Sequence, residues 1–419
     1  MTSPSFGDFV ADARRAGRLV VQPRMGFGDP ATMRAGLLAT RRASATTVGT
    51  ITVDSYTRVG DTAGARAALA AGADLNGYPI AAHEDATTAA VLAGVDFPVQ
   101  VRHGSAVPEE IVATLIRLGL HATEGGPISY CLPYSRLPVA DSVRNWTHCC
   151  RLLAGLRETG VEPHLESFGG CMLGMLCPPG MLVAISVLEA MFFRQHGLRS
   201  VSLSYAQQSN ATQDHEAVLA LRRLAGELLA DLDWHVVVYA YMGMYPRTPH
   251  GATRLLGEAA RLAVRTGSVR LIVKTVAEAH RIPTVEENVA ALEHAAAVAA
   301  REPAVNATDS ADSEVYAEAR ELVEAVLELD DDLGRALTEA VRRGYLDVPF
   351  CLHPDNAGRA RSYLDRDGRL SWSRTGALPL PARSARTTEL TAADLLASLS
   401  YVRRKFDGLA AHDHLTAAS

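Results

Sequence analysis

A chain of 419 residues is too long for one small domain and suits either a large barrel or two domains. Hydrophobic residues make up 48% and charged residues 21%, values near the globular average that exclude a chain disordered or coiled-coil throughout. The formal net charge of −6 argues against a general nucleic-acid binder, which would carry a basic surplus.

Short apolar stretches recur along the first two thirds of the chain. Each is rich in Val, Ile or Leu and does not alternate strictly with polar residues, a pattern typical of a parallel strand buried on both faces. The nine candidate strands begin at Arg18, Thr47, Ala73, Phe97, Gly119, Val161, Arg199, Trp234 and Ser268.

Ala-rich amphipathic segments, such as 61–72, 108–119 and 250–267, lie between these stretches and end in glycine, a helix C-cap signal. Alternating strands and helices predict an α/β fold with a parallel sheet, and the number of units favours a closed (β/α)8 TIM barrel. The sequence contains nine candidate strands, whereas such a barrel has eight strand positions. One candidate must therefore lie outside the barrel, and the sequence does not indicate which.

The character of the chain changes after about residue 284. Segments 286–302 and 313–344 are strongly helical, whereas the chain from Tyr345 onward is rich in Pro, Gly and Arg and predicts irregular structure. One last helix is predicted over 392–411. We therefore predict a barrel domain over residues 1–340 and a C-terminal extension over 341–419 that packs on it.

The six cysteines form no CxxC pair and fit no common zinc spacing, so we expect small buried side chains in a reducing, cytoplasmic compartment. No apolar run approaches the roughly 18 residues of a membrane-spanning helix. The sequence also has no P-loop, HExxH, GxSxG or EF-hand motif.

Three arginines follow predicted strands, at the barrel end where function resides in this fold class. Arg24 and Arg58 follow the first and second candidates, and Arg102 follows the fourth with His103 beside it. A guanidinium fork matches carboxylate or phosphate, so three of them at one mouth predict a small dianionic ligand. Any one of them alone could instead cap a helix or form a surface ion pair.

The fifth candidate strand ends in Glu124 and two glycines, and Tyr130 and Tyr134 follow. A carboxylate beside arginines would stay ionised and could bind an ammonium group or exchange a proton. Together with the arginines it predicts a ligand with two negative groups and one positive group, such as an acidic amino acid. The two tyrosines could equally line an amphipathic core.

Lys274 and Glu278 stand four residues apart after the last candidate strand. Lys274 is one of only two lysines in this arginine-rich chain, and it lies in an apolar run. The pair could be a purely structural ion pair, or it could meet a hydroxyl-rich ligand such as a ribose.

Ten further segments of the chain form an ordered series from about residue 20 to residue 360. They are QPRMG, TVDSYTR, DLNGYP, QVRHG, TEGGPISYCLPY, ESFGG with CPP, SYAQQSN with QD, YMGMYP, LIVKTVAEAHRIPT, and DVPF with DNAG. Each segment is weak alone, whereas their order and spacing are specific. On these segments the sequence resembles the large (epsilon) subunit of adenosylcobalamin-dependent glutamate mutase, also called methylaspartate mutase.

The resemblance implies a TIM-barrel subunit that dimerises and binds a separate small subunit, giving a heterotetramer. The small subunit carries adenosylcobalamin through a DxHxxG motif, which this sequence lacks. The implied reaction is an isomerase reaction, a radical carbon-skeleton rearrangement that interconverts L-glutamate and (2S,3S)-3-methylaspartate. Because the cofactor supplies the radical, neither a nucleophile nor a metal site is needed in this chain.

The resemblance also implies roles for individual residues. Arg24, Arg58 and Arg102 would clasp the two substrate carboxylates. The other implied substrate contacts are His103, Glu124 on the amino group, Tyr130 and Tyr134. The implied cofactor contacts are Gly26, Asn76, Pro133, Tyr245, Lys274, Glu278 and Ile282.

This chain departs from the family at 165–168, which reads Leu-Glu-Ser-Phe where Arg-Glu-Pro-Phe is usual, and in a shortened C-terminal part. These departures leave the shape of the mouth and the affinity for the small subunit open. Three alternatives also remain: a cobalamin-independent barrel lyase acting on an acidic amino acid, a non-catalytic glutamate-binding component, and a mutase with another acidic substrate.

Overall fold

The computed structural model describes residues 5–172, 176–303, 312–381 and 391–416, with side chains up to residue 409. Within these ranges, nine strand segments form one sheet in which every pairing is parallel. They are β1 (Val20–Gln22), β2 (Thr46–Thr47), β3 (Gly49–Thr52), β4 (Val99–Arg102), β5 (Ala122–Gly125), β6 (His164–Ser167), β7 (Ser200–Ala206), β8 (Asp233–Tyr239) and β9 (Arg270–Ile272).

The sheet order is β2-β1-β9-β8-β7-β6-β5-β4-β3. Only Val48 separates β2 from β3, so the two segments are halves of one bent strand. The first half pairs with β1 and the second half pairs with β4, which brings the two ends of the sheet together. The eight strand positions that result confirm the predicted (β/α)8 barrel.

The candidate strand that begins at Ala73 is the one outside the barrel. Its Tyr78 forms a single isolated bridge with Val53, just after β3. Gly77 lies so close to this strand end that a Cβ there would be 2.5 Å from the carbonyl oxygen of Val53. The Asn-Gly and Pro residues of this segment disfavour an extended ladder, so it crosses the end of β3 as a loop.

The helices lie mainly on the outside of the barrel. They are α1 (Phe6–Arg15), α2 (Pro30–Arg42), α3 (Ser55–Arg58), α4 (Thr62–Ala70), α5 (Asp85–Leu92), α6 (Glu109–Arg117), α7 (Val139–Gly155), α8 (Pro179–Gln195), α9 (Ala211–Leu228), α10 (Pro249–Arg265), α11 (Val285–Ala299), α12 (Glu314–Leu327), α13 (Leu333–Arg343), α14 (Ala392–Leu399) and α15 (Tyr401–Thr416). Short 3-10 turns cover Leu156–Thr159, Gly169–Cys171 and Val276–Ala279. The helices predicted over 61–72, 108–119 and 250–267 are α4, α6 and α10.

One of the outer helices, α8, is buried along almost its whole length. It lies between the barrel strands β6 and β7 and the outer helix α12, so it has no face exposed to water. This position explains why its sequence is apolar on all sides rather than amphipathic. Its buried carboxylate, Glu189, is an exception that requires hydrogen-bond partners.

Helix α1 closes the amino-terminal end of the barrel. Phe6 packs in one cluster with Val20, Ala122 and Val269, which lie at the starts of barrel strands. The Phe6 ring also stacks on His164, the first residue of β6, with ring centres 4.8 Å apart. The open end of the barrel is therefore the opposite one, where the strands end.

The segments after the barrel are partly regular. Helices α12 and α13 pack on α7, α8 and α9. The stretch predicted to be irregular contains an antiparallel hairpin of β10 (Arg361–Leu364) and β11 (Leu370–Arg374). The last predicted helix is two helices, α14 and α15, because Ser400 hydrogen-bonds back to the Leu396 carbonyl and ends the first. The boundary at residue 340 stays a prediction, and α13 runs across it.

All six cysteines are free and buried, as predicted from their spacing. Across the described ranges, no helix has both the length and the apolar composition needed to cross a bilayer.

Candidate functional site

Most of the predicted site residues lie at the carboxyl end of the barrel. Arg102 is the last residue of β4, and Glu124 lies near the end of β5. Arg24 and Lys274 each follow two residues after their strands, β1 and β9. Because the ends of parallel strands meet at one edge, these side chains come from four positions around one mouth.

Arg58 does not end its strand, contrary to the prediction. The strand β3 stops at Thr52, and Arg58 is the last residue of the short helix α3. Asp54 initiates this helix by accepting hydrogen bonds from the backbone N–H groups of Tyr56 and Thr57. The helical turn carries Arg58 back over β4, where its Nε donates to the carbonyl oxygen of His103 at 3.1 Å.

The centre of the site is a buried ion pair between Arg102 and Glu124. Arg102 Nε donates to Glu124 Oε2 at 2.8 Å. Tyr130 donates to the other carboxylate oxygen of Glu124, and Tyr239 donates to Oε2 at 2.8 Å. Burial, reinforced by the Glu124 charge, raises the pKa of Tyr130 well above its usual value, so its hydroxyl keeps the proton it donates.

Tyr239 connects this pair to a polar network inside the barrel. Its hydroxyl also contacts the carboxylate of Glu166, which in turn is paired with the fully buried Arg270. Arg270 Nη1 donates to the side-chain oxygen of Gln22 at 2.6 Å. The floor of the mouth is therefore a hydrogen-bonded layer, which fixes Glu124 from below.

His103 is neutral and immobilised. Burial, with the Arg58 charge as a second cause, lowers the pKa of His103 to about 3. Its ring stacks on Trp146 with centres 5.8 Å apart, and Nδ1 accepts from the backbone N–H of Ser105. The buried Nε2 has no partner within the described structure, which leaves one polar atom for a ligand.

Tyr134 lies at the rim, with 43% of its surface exposed. Burial of its hydroxyl end raises the pKa of Tyr134, while the charges of Arg24 and Arg58 lower it in part. Its ring meets the Tyr130 ring edge-on, with centres 5.8 Å apart. Tyr134 therefore joins the Arg24 and Arg58 side of the mouth to the Glu124 side.

Most of the residues predicted to contact the cofactor line one cleft of about 490 Å³. Its walls include Gly26, Asn76, Glu278 and Ile282, together with Arg24. This volume lies within the roughly 300–1,000 Å³ of small-molecule sites. Pro133 lies outside this cleft, on the β5 loop beside Tyr134.

Lys274 and Tyr245 are not among the residues that line the cleft, but Lys274 contacts Glu278, which is. The Lys274 ammonium is 3.4 Å from Glu278 Oε2 and 4.9 Å from the centre of the Tyr245 ring. Burial lowers the pKa of Lys274 to about 8; the Glu278 charge opposes this change and the Arg24 charge adds to it. Arg24 Nη1 lies 3.9 Å from the same Glu278 oxygen, so one carboxylate faces two cations.

Several buried polar atoms around the mouth have no hydrogen-bond partner within the described structure. Such atoms are costly unless a ligand or water satisfies them. They are Arg24 Nε, Thr52 Oγ1, His103 Nε2 and the Tyr245 hydroxyl. The arrangement can accept carboxylates at its arginines, an ammonium group at Glu124 and hydroxyl groups at Lys274 and Glu278.

Sequence reasoning missed four residues that build the site. Tyr239 binds Glu124, Trp146 stacks on His103, and Phe168 packs against Tyr130 with ring centres 5.0 Å apart. The fourth, Glu189, is described below. Tyr239 is the last residue of β8, so a search of every predicted strand end would have found it. Trp146 lies within α7, and its sequence position gives no indication of a role in the site.

Glu189 anchors the loop that carries Tyr130. Its carboxylate accepts hydrogen bonds from the backbone N–H groups of Ile128 and Ser129, at 3.0 and 2.8 Å. The hydroxyls of Ser129 and Ser167 donate to its second oxygen at 2.9 Å each. Gly126 makes this contact possible, since a Cβ there would lie 2.1 Å from the carboxylate.

Comparison with known proteins gives consistent matches. Residues 2–395 match the family model described as methylaspartate mutase E chain. The chain is 33% identical to the glutamate mutase epsilon subunit of Halobacterium salinarum over 347 residues, covering 80% of this chain and 73% of the relative. It is 30% identical to that of Escherichia coli O157:H7, covering 79% and 72%, and 31% identical to that of Treponema denticola, covering 78% and 71%.

Tryptophan synthase from M. tuberculosis aligns at a TM-score of 0.37 and 14% identity, over 71% of this chain and 99% of that chain.

Proposed function

The chain belongs to the methylaspartate mutase E chain family, and we propose that it is the catalytic subunit of an adenosylcobalamin-dependent mutase interconverting L-glutamate and (2S,3S)-3-methylaspartate. The observation that carries this proposal is the buried Arg102–Glu124 pair at the floor of a mouth that Arg24 and Arg58 also face. The names of the relatives support a mutase subunit and supply the proposed substrate pair; the charges of the site fit an acidic amino acid.

The substrate is held by opposite charges at both ends. Arg24 and Arg58 bind one carboxylate at the rim, and Arg102 binds the other at the floor through guanidinium N–H groups that do not pair with Glu124. Glu124 accepts the ammonium group, and Tyr130 keeps the Glu124 side chain in place from the side. Charge-assisted hydrogen bonds of this kind fix the orientation of a small zwitterion during rearrangement.

The residues of the 490 Å³ cleft, together with Lys274 beside it, fit the adenosine part of adenosylcobalamin. When bound, this cofactor supplies a carbon radical by homolysis of its cobalt–carbon bond. Lys274 and Glu278 would hold the ribose hydroxyls, with Asn76 and Ile282 at the rim. Gly26 lets the loop after β1 pack against the end of β3, since a Cβ there would lie 2.3 Å from the Thr52 carbonyl oxygen.

The rim of the mouth supports a partner subunit that closes over it. Eight large apolar side chains are exposed within the described structure, and four of them lie on loops that follow barrel strands, at the end where the mouth opens. Val59, Val107, Tyr134 and Ile282 follow barrel strands. Phe350 and Leu352 flank Cys351, whose thiol donates to the carbonyl of Leu132 on the β5 loop. Grouped exposed apolar residues are typical of protein contact sites.

We assign this rim to a small cobalamin-carrying subunit with a DxHxxG motif. Self-association of the barrel subunit would then give a heterotetramer, in a cytoplasmic compartment.

The test is reconstitution. The chain is expected to be inactive alone and to convert glutamate to methylaspartate when mixed with the small subunit and adenosylcobalamin. Turnover of an acidic amino acid by the isolated chain, without cobalamin, would refute the proposal in favour of a lyase. Glutamate binding without turnover in the complete mixture would instead indicate a non-catalytic component.

A further inference from the structure

The C-terminal helix α15 packs on the side of the mouth that holds Tyr245, Lys274 and Glu278. It begins at Tyr401, past residue 395, where the match to the family model ends. The helix itself therefore lies outside the matched segment. None of the site residues that the resemblance implies belongs to α15.

Asp407 on α15 holds the loop after β8. Its Oδ2 accepts from the backbone N–H of Arg247 at 3.1 Å, and its Oδ1 accepts from the backbone N–H of Thr248 at 3.0 Å. The Thr248 hydroxyl donates to the same Oδ1 at 2.7 Å. Thr248 is the N-cap of α10, so one carboxylate satisfies the backbone donors where the Tyr245 loop enters that helix.

An apolar cluster extends the same contact. Val402 and Phe406 of α15 are buried against Tyr241 and Tyr245. Val276, in the 3-10 turn that carries Glu278, packs on this cluster. The helix thus touches both elements that supply the Tyr245, Lys274 and Glu278 side of the mouth.

Close approach is permitted by a glycine in the first turn of α10. A Cβ at Gly251 would lie 3.0 Å from both Asp407 Oδ1 and the Phe406 carbonyl oxygen. The two loops are also joined directly, because His280 Nε2 lies 3.1 Å from the Arg247 carbonyl oxygen. A displacement of the Arg247 backbone would therefore also displace the turn after β9.

We infer that Asp407 is a positioning residue for the cofactor side of the site: through Arg247 and Thr248 it sets the place of Tyr245, and with it Lys274 and Glu278. The catalytic consequence of this inference rests on the proposed function. The structural consequence rests only on contacts within this chain. The substrate side, formed by Arg58, Arg102 and Glu124, receives no contact from Asp407.

The first experiment needs no cofactor. Hydrogen–deuterium exchange of the full chain is measured at the backbone amides of Arg247 and Thr248. Asp407→Ala removes their acceptor, so we expect exchange there to become about tenfold faster or more. Asp394→Ala is the matched control, because Asp394 caps only its own helix α14. Unchanged exchange in Asp407→Ala overturns the inference, and Asp407→Asn repeats the measurement if the alanine variant does not fold.

The second experiment uses the complex with the small subunit. We expect Asp407→Ala to raise the KM for adenosylcobalamin by roughly tenfold or more, since small misplacements are costly in rate and binding. The KM for glutamate should stay unchanged, and Asp407→Glu, which keeps the carboxylate, should restore part of the loss. An equal rise in both KM values overturns the inference. If the unmodified chain shows no cobalamin-dependent activity, the proposed function fails, and the exchange experiment still decides whether Asp407 holds the loop.

Discussion

Arg102 and Glu124 form an ion pair across the adjacent strands β4 and β5, with Nε and Oε2 2.8 Å apart and only 5% and 2% of their side chains exposed. A buried pair of this kind stabilises the fold only when further hydrogen bonds complete it, and here Tyr130 and Tyr239 provide them. The pair lies at the carboxyl ends of β4 and β5, and under the proposed function it meets the opposite charges of the substrate there.

Arg102→Lys should weaken glutamate binding by about tenfold to a hundredfold, because lysine keeps the charge and loses the fork. Loss of a hydrogen bond to a charged group costs roughly 1.5–3 kcal/mol. The measurement is calorimetric titration with glutamate. Arg117→Lys is the control, since Arg117 is also paired with a carboxylate, that of Asp85, but is 54% exposed. Equal glutamate affinity in both variants would show that Arg102 is not a substrate ligand.

The sequence predicted the barrel because its strands are buried on both faces and repeat with helices, a pattern that depends only on local composition. It did not predict which candidate lies outside, because the Ala73 segment is apolar enough for a strand and is excluded by its crossing over Val53. The hairpin β10–β11 was also missed, although the Asp-Arg-Asp-Gly stretch that ends at Gly368 is a turn signal between two short runs of mixed polar and apolar residues.

The site was partly predictable for a similar reason. Strand ends are read directly from sequence, so Arg102 and Glu124 were placed correctly on adjacent strands. The support around them comes from residues distant in sequence, such as Tyr239 and Glu189, and from the C-terminal helix. Arg58 was misplaced because Asp54 starts a helical turn that a strand pattern does not reveal.

Tyr239→Phe tests whether the barrel floor sets the position of Glu124. The variant leaves Glu124 and Glu166 without a shared donor, so we expect a loss of about 1–3 kcal/mol in the free energy of unfolding and weaker glutamate binding. Tyr205→Phe is the control, because Tyr205 lies on the neighbouring strand β7 and its hydroxyl donates to Asp214 of α9 at 2.9 Å. Both variants should lose stability, and only Tyr239→Phe should lose glutamate affinity. Unaltered affinity in Tyr239→Phe would assign Tyr239 to the fold alone.

Glu189 should make stability depend on pH. Burial raises the pKa of Glu189 to about 7, from a reference value of 4.5. Between these values the folded state binds more protons than the unfolded state, so the free energy of unfolding falls as pH rises from about 4.5 to 7. The total change is on the order of 3 kcal/mol, from about 1.4 kcal/mol per pKa unit.

Glu189→Gln should remove this decrease of the free energy of unfolding with pH, which is measured by urea unfolding at several pH values. Burial likewise raises the pKa of Asp214 to about 7, so Asp214→Asn serves as the comparison. Only the Glu189 variant should also reduce glutamate affinity, because only Glu189 holds the Ile128–Ser129 backbone next to Tyr130. If the free energy of unfolding of Glu189→Gln varies with pH as it does in the unmodified chain, Glu189 is not the source of this pH dependence.

Lys274 separates a cofactor role from a structural one. Because burial lowers the pKa of Lys274 from 10.5 to about 8, the folded state binds fewer protons than the unfolded state between these values. The free energy of unfolding contributed by Lys274 therefore rises with pH from about 8 to 10.5, and the cost of burying its charge is fully present below pH 8. At pH 7, Lys274→Met should accordingly cause little loss of thermal stability, since Arg24 still faces Glu278.

If Lys274 holds the ribose, Lys274→Met should leave glutamate binding intact and reduce turnover by about a hundredfold, the cost of a misplacement of roughly 1 Å. Turnover of the unmodified complex should fall as pH rises through about 8, where Lys274 loses its proton. Lys274→Arg, which stays charged, should remove this decline. The measurements are melting curves, glutamate titration and pH–rate profiles, with the change in cofactor absorbance on adding glutamate as a direct signal. Lys274→Met could instead melt at a lower temperature and still give the full absorbance change at the normal rate. That result would assign Lys274 to the fold, because an ion pair that only closes the turn after β9 affects stability and not the cofactor.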